Sequence, residues 1–170
     1  QLLRALTDLT VIATASRPET RDWVRECGAH LVVDHRQPLE PQVEALGLGA
    51  PGYEFSTTHS DLHLPAIVEL IAPQGRFGLI DDPEILDGKP FKQKAVSLHW
   101  EFMFTRPVFE TPDMGEQGRL LNEVAALVDA GRIRSTATEV AGRIDAATLR
   151  AVHARIETHS ARGKIVLEGF

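Results

Sequence analysis

The step Ala15-Ser16-Arg17 ends an apolar run, Leu9-Thr10-Val11-Ile12-Ala13-Thr14-Ala15. The run is short, continuously apolar and rich in β-branched residues, which predicts a buried strand. Pro18 and Glu19 follow, predicting a helix start capped by Ser16, with the helical run Thr20–Cys27 behind it. Where an α/β unit holds a dinucleotide, the residue at such a strand end faces the adenosine ribose. A carboxylate there holds a 2′-hydroxyl, whereas a basic side chain accommodates a 2′-phosphate. This strand end carries no acid, and the Arg17 guanidinium could pair with a phosphate through a charge-assisted fork. The bland reading is a serine capping box with Arg17 in solvent. Both readings can hold together, because the cap uses only Ser16.

Other constellations say less. Gly47-Leu48-Gly49-Ala50-Pro51-Gly52 matches G-x-G-x-x-G letter for letter, but it follows a predicted helix, precedes a predicted strand and contains a proline. A phosphate cradle needs the reverse order, strand then helix, so this is a connector. His59 and His63 have the i, i+4 spacing of a helical metal pair, with Asp61 nearby, yet no third ligand stands at a fixed spacing. Asp81-Asp82 could be an acid/base pair; adjacent strand-end residues point apart, which favours solvation and helix capping. No G-x-S-x-G elbow is present, which argues against an α/β hydrolase.

The elements that must position these residues alternate. After the strand ending at Ala15 come a strand at Leu31–Asp34, a helix at Glu40–Leu46, a strand at Tyr53–Thr57 and a helix at Asp61–Ala72 capped by Asp61. A strand at Arg76–Ile80 and an edge strand at Lys94–Phe104 follow, on which Trp100, Phe102 and Phe104 would share one face. That face is either core or a dimer surface. Strands that are apolar throughout, separated by helices, predict a doubly wound parallel sheet of α/β class, covered on both faces. The chain opens with Gln1–Leu6, which reads as the last turns of a helix. The glycine-rich front half of a dinucleotide unit does not precede it. The expected fold is therefore an incomplete Rossmann-type domain, residues 1–131, lacking its first strand and Gly-rich loop. The last third, with a helix at Glu116–Ala130, a strand at Ser135–Val140, a helix at Asp145–Glu157 capped by Asp145 and a strand at Lys164–Leu167, reads as a small αβ segment. The closing strand has no evident partner in the doubly wound sheet.

Composition narrows the class. A 43% hydrophobic and 25% charged chain of 170 residues has enough apolar material for one real core. A net charge of -6 argues against nucleic acid as a partner, since phosphate backbones require a basic surface. No apolar run is long enough to span a bilayer and no signal peptide opens the chain, so neither a membrane nor secretion is expected. A single cysteine, Cys27, allows no internal disulfide and fits the reducing cytoplasm.

Three motifs in order carry a family resemblance: Thr10–Arg17 with Glu26-Cys27-Gly28-Ala29-His30 and Val33-Asp34-His35; Ser97-Leu98-His99-Trp100-Glu101-Phe102-Met103-Phe104; and Ala161-Arg162-Gly163-Lys164-Ile165-Val166-Leu167. Together they resemble the nucleotide-binding portion of the medium-chain dehydrogenase/reductase superfamily, in its zinc-type alcohol dehydrogenase-like and quinone oxidoreductase branch. The resemblance implies NADPH, preferred over NADH, and hydride transfer to or from a carbonyl, enone, quinone or alcohol. It implies 2′-phosphate contacts at Ser16 and Arg17 and an adenosine contact at His35, where histidine departs from the family's usual aromatic residue. The strand ends Ser56-Thr57-Thr58 and Ile80-Asp81-Asp82 would approach ribose and nicotinamide. Trp100 would lie beside the nicotinamide pocket, on a strand, Lys94–Phe104, that would also pair two copies into a homodimer. Lys164 is a further cofactor candidate.

The resemblance also implies that residues 132–170 return to a catalytic domain outside this chain, that zinc ligands lie in that other portion, and that this piece alone is inactive. No residue of the chain is assigned as the catalytic acid. Two rivals stand beside this reading: a non-catalytic, dimerising Rossmann-like interaction module, and another doubly wound nucleotide binder, since fold alone does not fix function.

Overall fold

The computed structural model describes residues 1–158 and 160–169. In chain order its elements are α1 (Leu2–Leu6), β1 (Ile12–Thr14), α2 (Pro18–Glu26), β2 (Leu31–Val33), α3 (Leu39–Glu44), β3 (Tyr53–Ser56), α4 (Ser60–Leu70) and β4 (Arg76–Leu79). A 3₁₀ turn (Lys89–Lys94), β5 (Ser97–Trp100), α5 (Thr105–Val108), α6 (Glu116–Asp129), β6 (Ala137–Arg143), α7 (Ala146–Glu157) and β7 (Lys164–Glu168) complete it. Two compact units result: Ile12–Gly118, and Gln1–Val11 with the chain from Arg119 onward.

In the unit Ile12–Gly118 every strand pairing is parallel. β1 pairs with β2, Ala13 opposite Val32. β3, β4 and β5 form a three-stranded sheet in that order, with Phe55 opposite Gly78 and Gly78 opposite His99. Parallel neighbours cannot be joined by a tight turn, so the chain leaves each strand through a helix or a long loop and returns to start the next at the same end. All carboxyl ends of a sheet therefore lie together. The strands are short and interior ones are apolar because helices cover them: Phe77 and Leu79 on β4 are fully buried against Ile71 and Ile67 of the α4 segment and Phe91 of the 3₁₀ turn. Phe77 and Phe91 sit with ring centroids 5.5 Å apart, an ordinary offset aromatic pair. Among the described residues, β1 pairs with β2 alone and β3 with β4 alone, so each presents a second backbone edge.

One buried group fits poorly. Glu54 of β3 holds a carboxylate oxygen out of water with no hydrogen-bond partner. Burial raises this carboxyl to about 8, against the pull of the Lys94 ammonium. It is therefore a neutral acid at pH 7.

The stretch Lys94–Phe104 is not one long strand. Ala95 turns left-handed to end the 3₁₀ turn, and the Lys94 ammonium is drawn away to the carbonyls of Glu69 and Ile71 at the end of α4. Only Ser97–Trp100 pairs with β4, at the sheet edge. Beyond Trp100 the chain turns through Phe102, whose carbonyl accepts the Thr105 N–H. The three aromatics consequently do not share a strand face, and all are exposed rather than core.

In the other unit, β6 and β7 run parallel with α7 as their crossover. The closing strand thus has a partner, and it comes from the same C-terminal third. The Asp145 carboxylate accepts the Thr148 N–H at 2.8 Å, capping α7 as expected. Arg155 on α7 forks onto the Glu139 carboxylate of β6, at 2.7 Å for the Nη1–Oε1 arm. The Gln1 side chain exchanges hydrogen bonds with the Arg134 backbone, tying the first residue to this unit.

Candidate functional site

Ser16 and Arg17 follow β1, and His35 and Arg36 follow β2, its parallel neighbour, so the sheet itself brings these four residues to one edge. Arg36 makes the link between the two strand ends. Its guanidinium donates to the Ser16 carbonyl at 2.6 Å and forks onto Asp34 through Nε and Nη2, at 3.3 and 3.1 Å. The Arg36 side chain and backbone N–H, both bonded to Asp34, hold that carboxyl down at about 2. Arg36 was not among the residues singled out from the sequence. Its cue is visible only afterwards: a second arginine three residues beyond the end of β2, the strand that neighbours β1.

The cap at this site differs from expectation. Pro18 is the first helical residue of α2, which makes Arg17 the N-cap, one residue later than Ser16. A guanidinium has no acceptor, so it cannot satisfy the helix N–H groups. Instead the Thr20 hydroxyl donates to the Arg17 carbonyl at 2.9 Å, and the Arg17 N–H donates back to it. The Arg17 guanidinium rests 3.4 Å from the Glu19 carboxylate, half-exposed. Ser16 is left with its hydroxyl outside the capping scheme.

At the ends of β3 and β4 a second cluster forms. Ser60, the first residue of α4, is fully buried, and its N–H and hydroxyl both donate to the Asp81 carboxylate beyond β4, the N–H at 2.9 Å. The Ser56 and Ser60 hydroxyl oxygens lie 2.7 Å apart. Since the one Ser60 proton goes to the carboxylate, Ser56 supplies the proton between the serines. Burial pushes the Asp81 carboxyl up, but the Ser60 hydroxyl and backbone N–H outweigh it and hold the group below the ordinary aspartate value. Asp81 therefore caps a helix from across the sheet, replacing the predicted Asp61 cap. The nominal N-cap is His59, in left-handed backbone with no capping side chain. Thr57, Thr58, Ile80 and Asp82 flank this network: the first two precede α4, and Ile80 is pinned through its N–H to the Ser56 carbonyl at 3.2 Å. Trp100 ends β5 opposite Leu79 and is half-exposed.

The two clusters share an edge. His35, after β2, meets His63, in the first turns of α4, with ring centroids 6.4 Å apart and the rings edge to face. Strand ends from both sheets thus converge, as they do around ligands in open α/β folds. Of the predicted positions, Lys164 begins β7 and belongs to the other compact unit. The Gly47–Gly52 stretch joins α3 to β3 as a connector, with Gly47 and Gly49 in positive φ.

A family model described as zinc-binding dehydrogenase matches residues 27–167. The chain belongs to that family. A zinc-type alcohol dehydrogenase-like protein of Staphylococcus aureus (strain MSSA476) is 34% identical over 160 residues, which are 94% of this chain and 48% of that protein. A counterpart from Staphylococcus epidermidis (strain ATCC 12228 / FDA PCI 1200) is 31% identical over the same share. A crystal structure from Rhizobium etli CFN 42, assigned as a zinc-dependent alcohol dehydrogenase protein, superposes with a TM-score of 0.95 at 62% identity, covering 99% of this chain and 49% of that one. The mycobacterial Rv1454c structure, solved with NADPH, shares the fold with a TM-score of 0.75 at 19% identity, over 94% of this chain and 48% of that one. The chain thus spans about half the length of the relatives it matches. The expected membership of the medium-chain superfamily, in its zinc-type alcohol dehydrogenase-like branch, and the α/β Rossmann-type fold both hold.

The family name raises the question of zinc. Among the described residues no three His, Cys, Asp or Glu side chains gather in a way that could hold a metal ion. Zinc therefore enters no step assigned here to this chain. Likewise, among the described residues no helix is long and apolar enough to cross a membrane.

Proposed function

We propose that this chain is the cofactor-holding half of an NADPH-dependent oxidoreductase of the alcohol dehydrogenase type, acting on a carbonyl, enone, quinone or alcohol. The observation that carries this reading is the joint end of β1 and β2, where two guanidinium groups stand beside Ser16 and no acid follows β1. Bound NADPH would supply the hydride. The residues of this chain do the holding: Ser16 and Arg17 receive the 2′-phosphate, Arg36 steadies the Ser16 backbone and lends charge, and His35 borders the adenosine. Both guanidiniums are already shared with carboxylates, Arg17 with Glu19 and Arg36 with Asp34. A phosphate must therefore outcompete these partners, which its two negative charges allow.

On this reading the Ser56, Thr57, Thr58 and Ile80–Asp82 backbones line the ribose and nicotinamide end, held in place by the Ser60–Asp81 cap, while Trp100 flanks the nicotinamide and Lys164 lies at the return strand. The open edges of β1 and β3 receive the first strand and glycine-rich turn of the rest of the protein. Residues 132–170 return to its catalytic domain. The setting is cytoplasmic.

The test is a comparison of NADPH and NADH by calorimetry on the full-length protein. NADPH should bind tighter, and Arg17→Ala should weaken NADPH about 10- to 100-fold while leaving NADH within about twofold, the cost of one charge-assisted hydrogen bond, roughly 1.5–3 kcal/mol. Equal affinities for the two cofactors in the wild type would defeat the reading.

The same proposal makes the protein a homodimer through β5 and the segment behind it. The edge strand keeps an unpaired backbone row, and Trp100, Phe102, Met103 and Phe104 are all more than half exposed. Such an edge invites pairing with a second copy. Trp100→Glu should convert the sedimenting species to a monomer; an unchanged profile would refute the interface.

A further inference from the structure

The convergence of β2 and α4 places His35 and His63 in ring contact at the same edge as Arg17 and Arg36, and His63 has no part in the cofactor contacts proposed above. We infer that His35 and His63 act as one proton-accepting element of the cofactor's adenosine-phosphate site, taking up a proton when a ribose 2′-phosphate binds. This inference rests on the NADPH reading above and adds His63 as a specificity-determining residue.

The argument is electrostatic. Two imidazoles in contact cannot both carry charge cheaply, because each protonated ring penalises the other. Burial lowers the His63 imidazole, and His35 and His59 lower it further, while Asp61 pulls the other way. His63 is therefore neutral near pH 7 without a ligand. Other charges surround this end, among them Arg21 of α2, whose guanidinium donates to the Val32 carbonyl of β2 at 3.4 Å. Asp34 and Arg36, beyond β2, neutralise one another, and Arg17 and Glu19, at the start of α2, form a second pair. From α3 the side chain that reaches this end is Gln42, which is uncharged: its amide accepts the Asp34 N–H at 2.8 Å and donates to the Asp34 carbonyl at 3.0 Å.

A phosphate monoester arriving here brings about two negative charges at pH 7.5, since its second pKa is about 6. With Arg17 and Arg36 already paired, the side chains that can gain charge near neutral pH are the imidazoles. Protonating one of them offsets the excess and turns the ring into a second N–H donor toward the ligand edge. NADH lacks the 2′-phosphate and brings no such demand. The pair would thus favour NADPH increasingly as pH falls.

The experiment is isothermal calorimetry of full-length protein with NADPH and with NADH at pH 7.5, in buffers of different ionisation enthalpy, so that protons exchanged on binding are counted. NADPH should take up about half to one proton more than NADH, and its affinity should drop by about three- to tenfold per pH unit between pH 6.5 and 8, as linkage requires. His63→Gln and His35→Gln should each abolish the excess uptake. His153→Asn, on α7 in the other compact unit, should retain it. If NADPH binds tighter than NADH with equal proton counts, the histidine inference falls and the cofactor reading stands. If the two cofactors bind alike, both fall. If His63→Gln melts well below the wild type, His63→Asn and the pH dependence of the wild type's NADPH-to-NADH affinity ratio decide the matter: a flat ratio overturns the inference.

Discussion

Gly163→Ala is expected to cost the full-length protein roughly 3 kcal/mol. Gly163 has φ +65, in the left-handed region, where an alanine pays about 1–2 kcal/mol. The added Cβ would also overlap the Thr136 carbonyl oxygen and the Thr138 side chain. Neither can step aside easily. The Thr136 carbonyl accepts the Lys164 N–H at 2.8 Å, and the Thr138 hydroxyl donates to the Arg162 carbonyl at 2.6 Å. Overpacking against such fixed groups adds about 1–3 kcal/mol. The contact seals the start of the β6–β7 pair, so hydrogen exchange should report loosening at Ala137–Arg143 and Lys164–Glu168 first. The measurement is thermal denaturation. A melting temperature within about a degree of wild type would contradict the close approach, given about 2–4 °C per kcal/mol for domains of this size. Gly47 and Gly49 also have positive φ, but a Cβ there meets open space, so their substitution carries the backbone penalty alone.

Removing the Asp81 carboxylate should be comparably severe. Asp81→Ala strips the acceptor from the N–H and hydroxyl of Ser60, which is fully buried and opens α4. The hydroxyl can turn toward Ser56, but the N–H has no second acceptor at hand. An orphaned buried donor costs about 1–3 kcal/mol and the lost bonds to a charged acceptor about as much again, so a total of about 3 kcal/mol is expected. The pH signature separates this from a packing defect. Because the folded Asp81 is held below its unfolded value, its contribution is complete above the ordinary aspartate pKa, about 4, and fades as pH falls through the folded one. The wild-type advantage over Asp81→Ala should therefore be constant from pH 5 to 8 and shrink in acid; a gap that persists unchanged at pH 2 would contradict it. Glu54 acts with the opposite sign. Its carboxyl is raised to about 8, so the wild type loses stability as pH climbs from the ordinary glutamate range toward that value. That alkaline loss is common to both proteins and leaves their difference unchanged.

The two predictions touch places that sequence reading saw unequally. Gly163-Lys164 stands out as a motif, yet only the fold shows why glycine is needed: the Thr136 carbonyl, just before β6, lies where a side chain would go. From sequence Asp81 reads as a cap or solvent-facing acid, but which helix it caps is a long-range fact, because Ser60 follows β3, the neighbour of β4 in the sheet.

Local chemistry was enough for much of the fold. Apolar runs of strand length and the helical stretches between them specify parallel pairing, since parallel strands leave no other connection, and the Asp145 cap of α7 follows from its own four residues. The Ser16-Arg17 step after β1 was legible for the same reason: a strand end and its first loop residues are neighbours in sequence. What the sequence left open depends on residues far apart in the chain. Arg36 reaches Ser16 only because β2 lies beside β1. His35 meets His63 only because the ends of two sheets share an edge. The partner of β7, the shortness of β5 and the burial of Glu54 are likewise set by packing, which no local period encodes. Periodicity determines which elements form; the register and neighbours of those elements decide which side chains can act together.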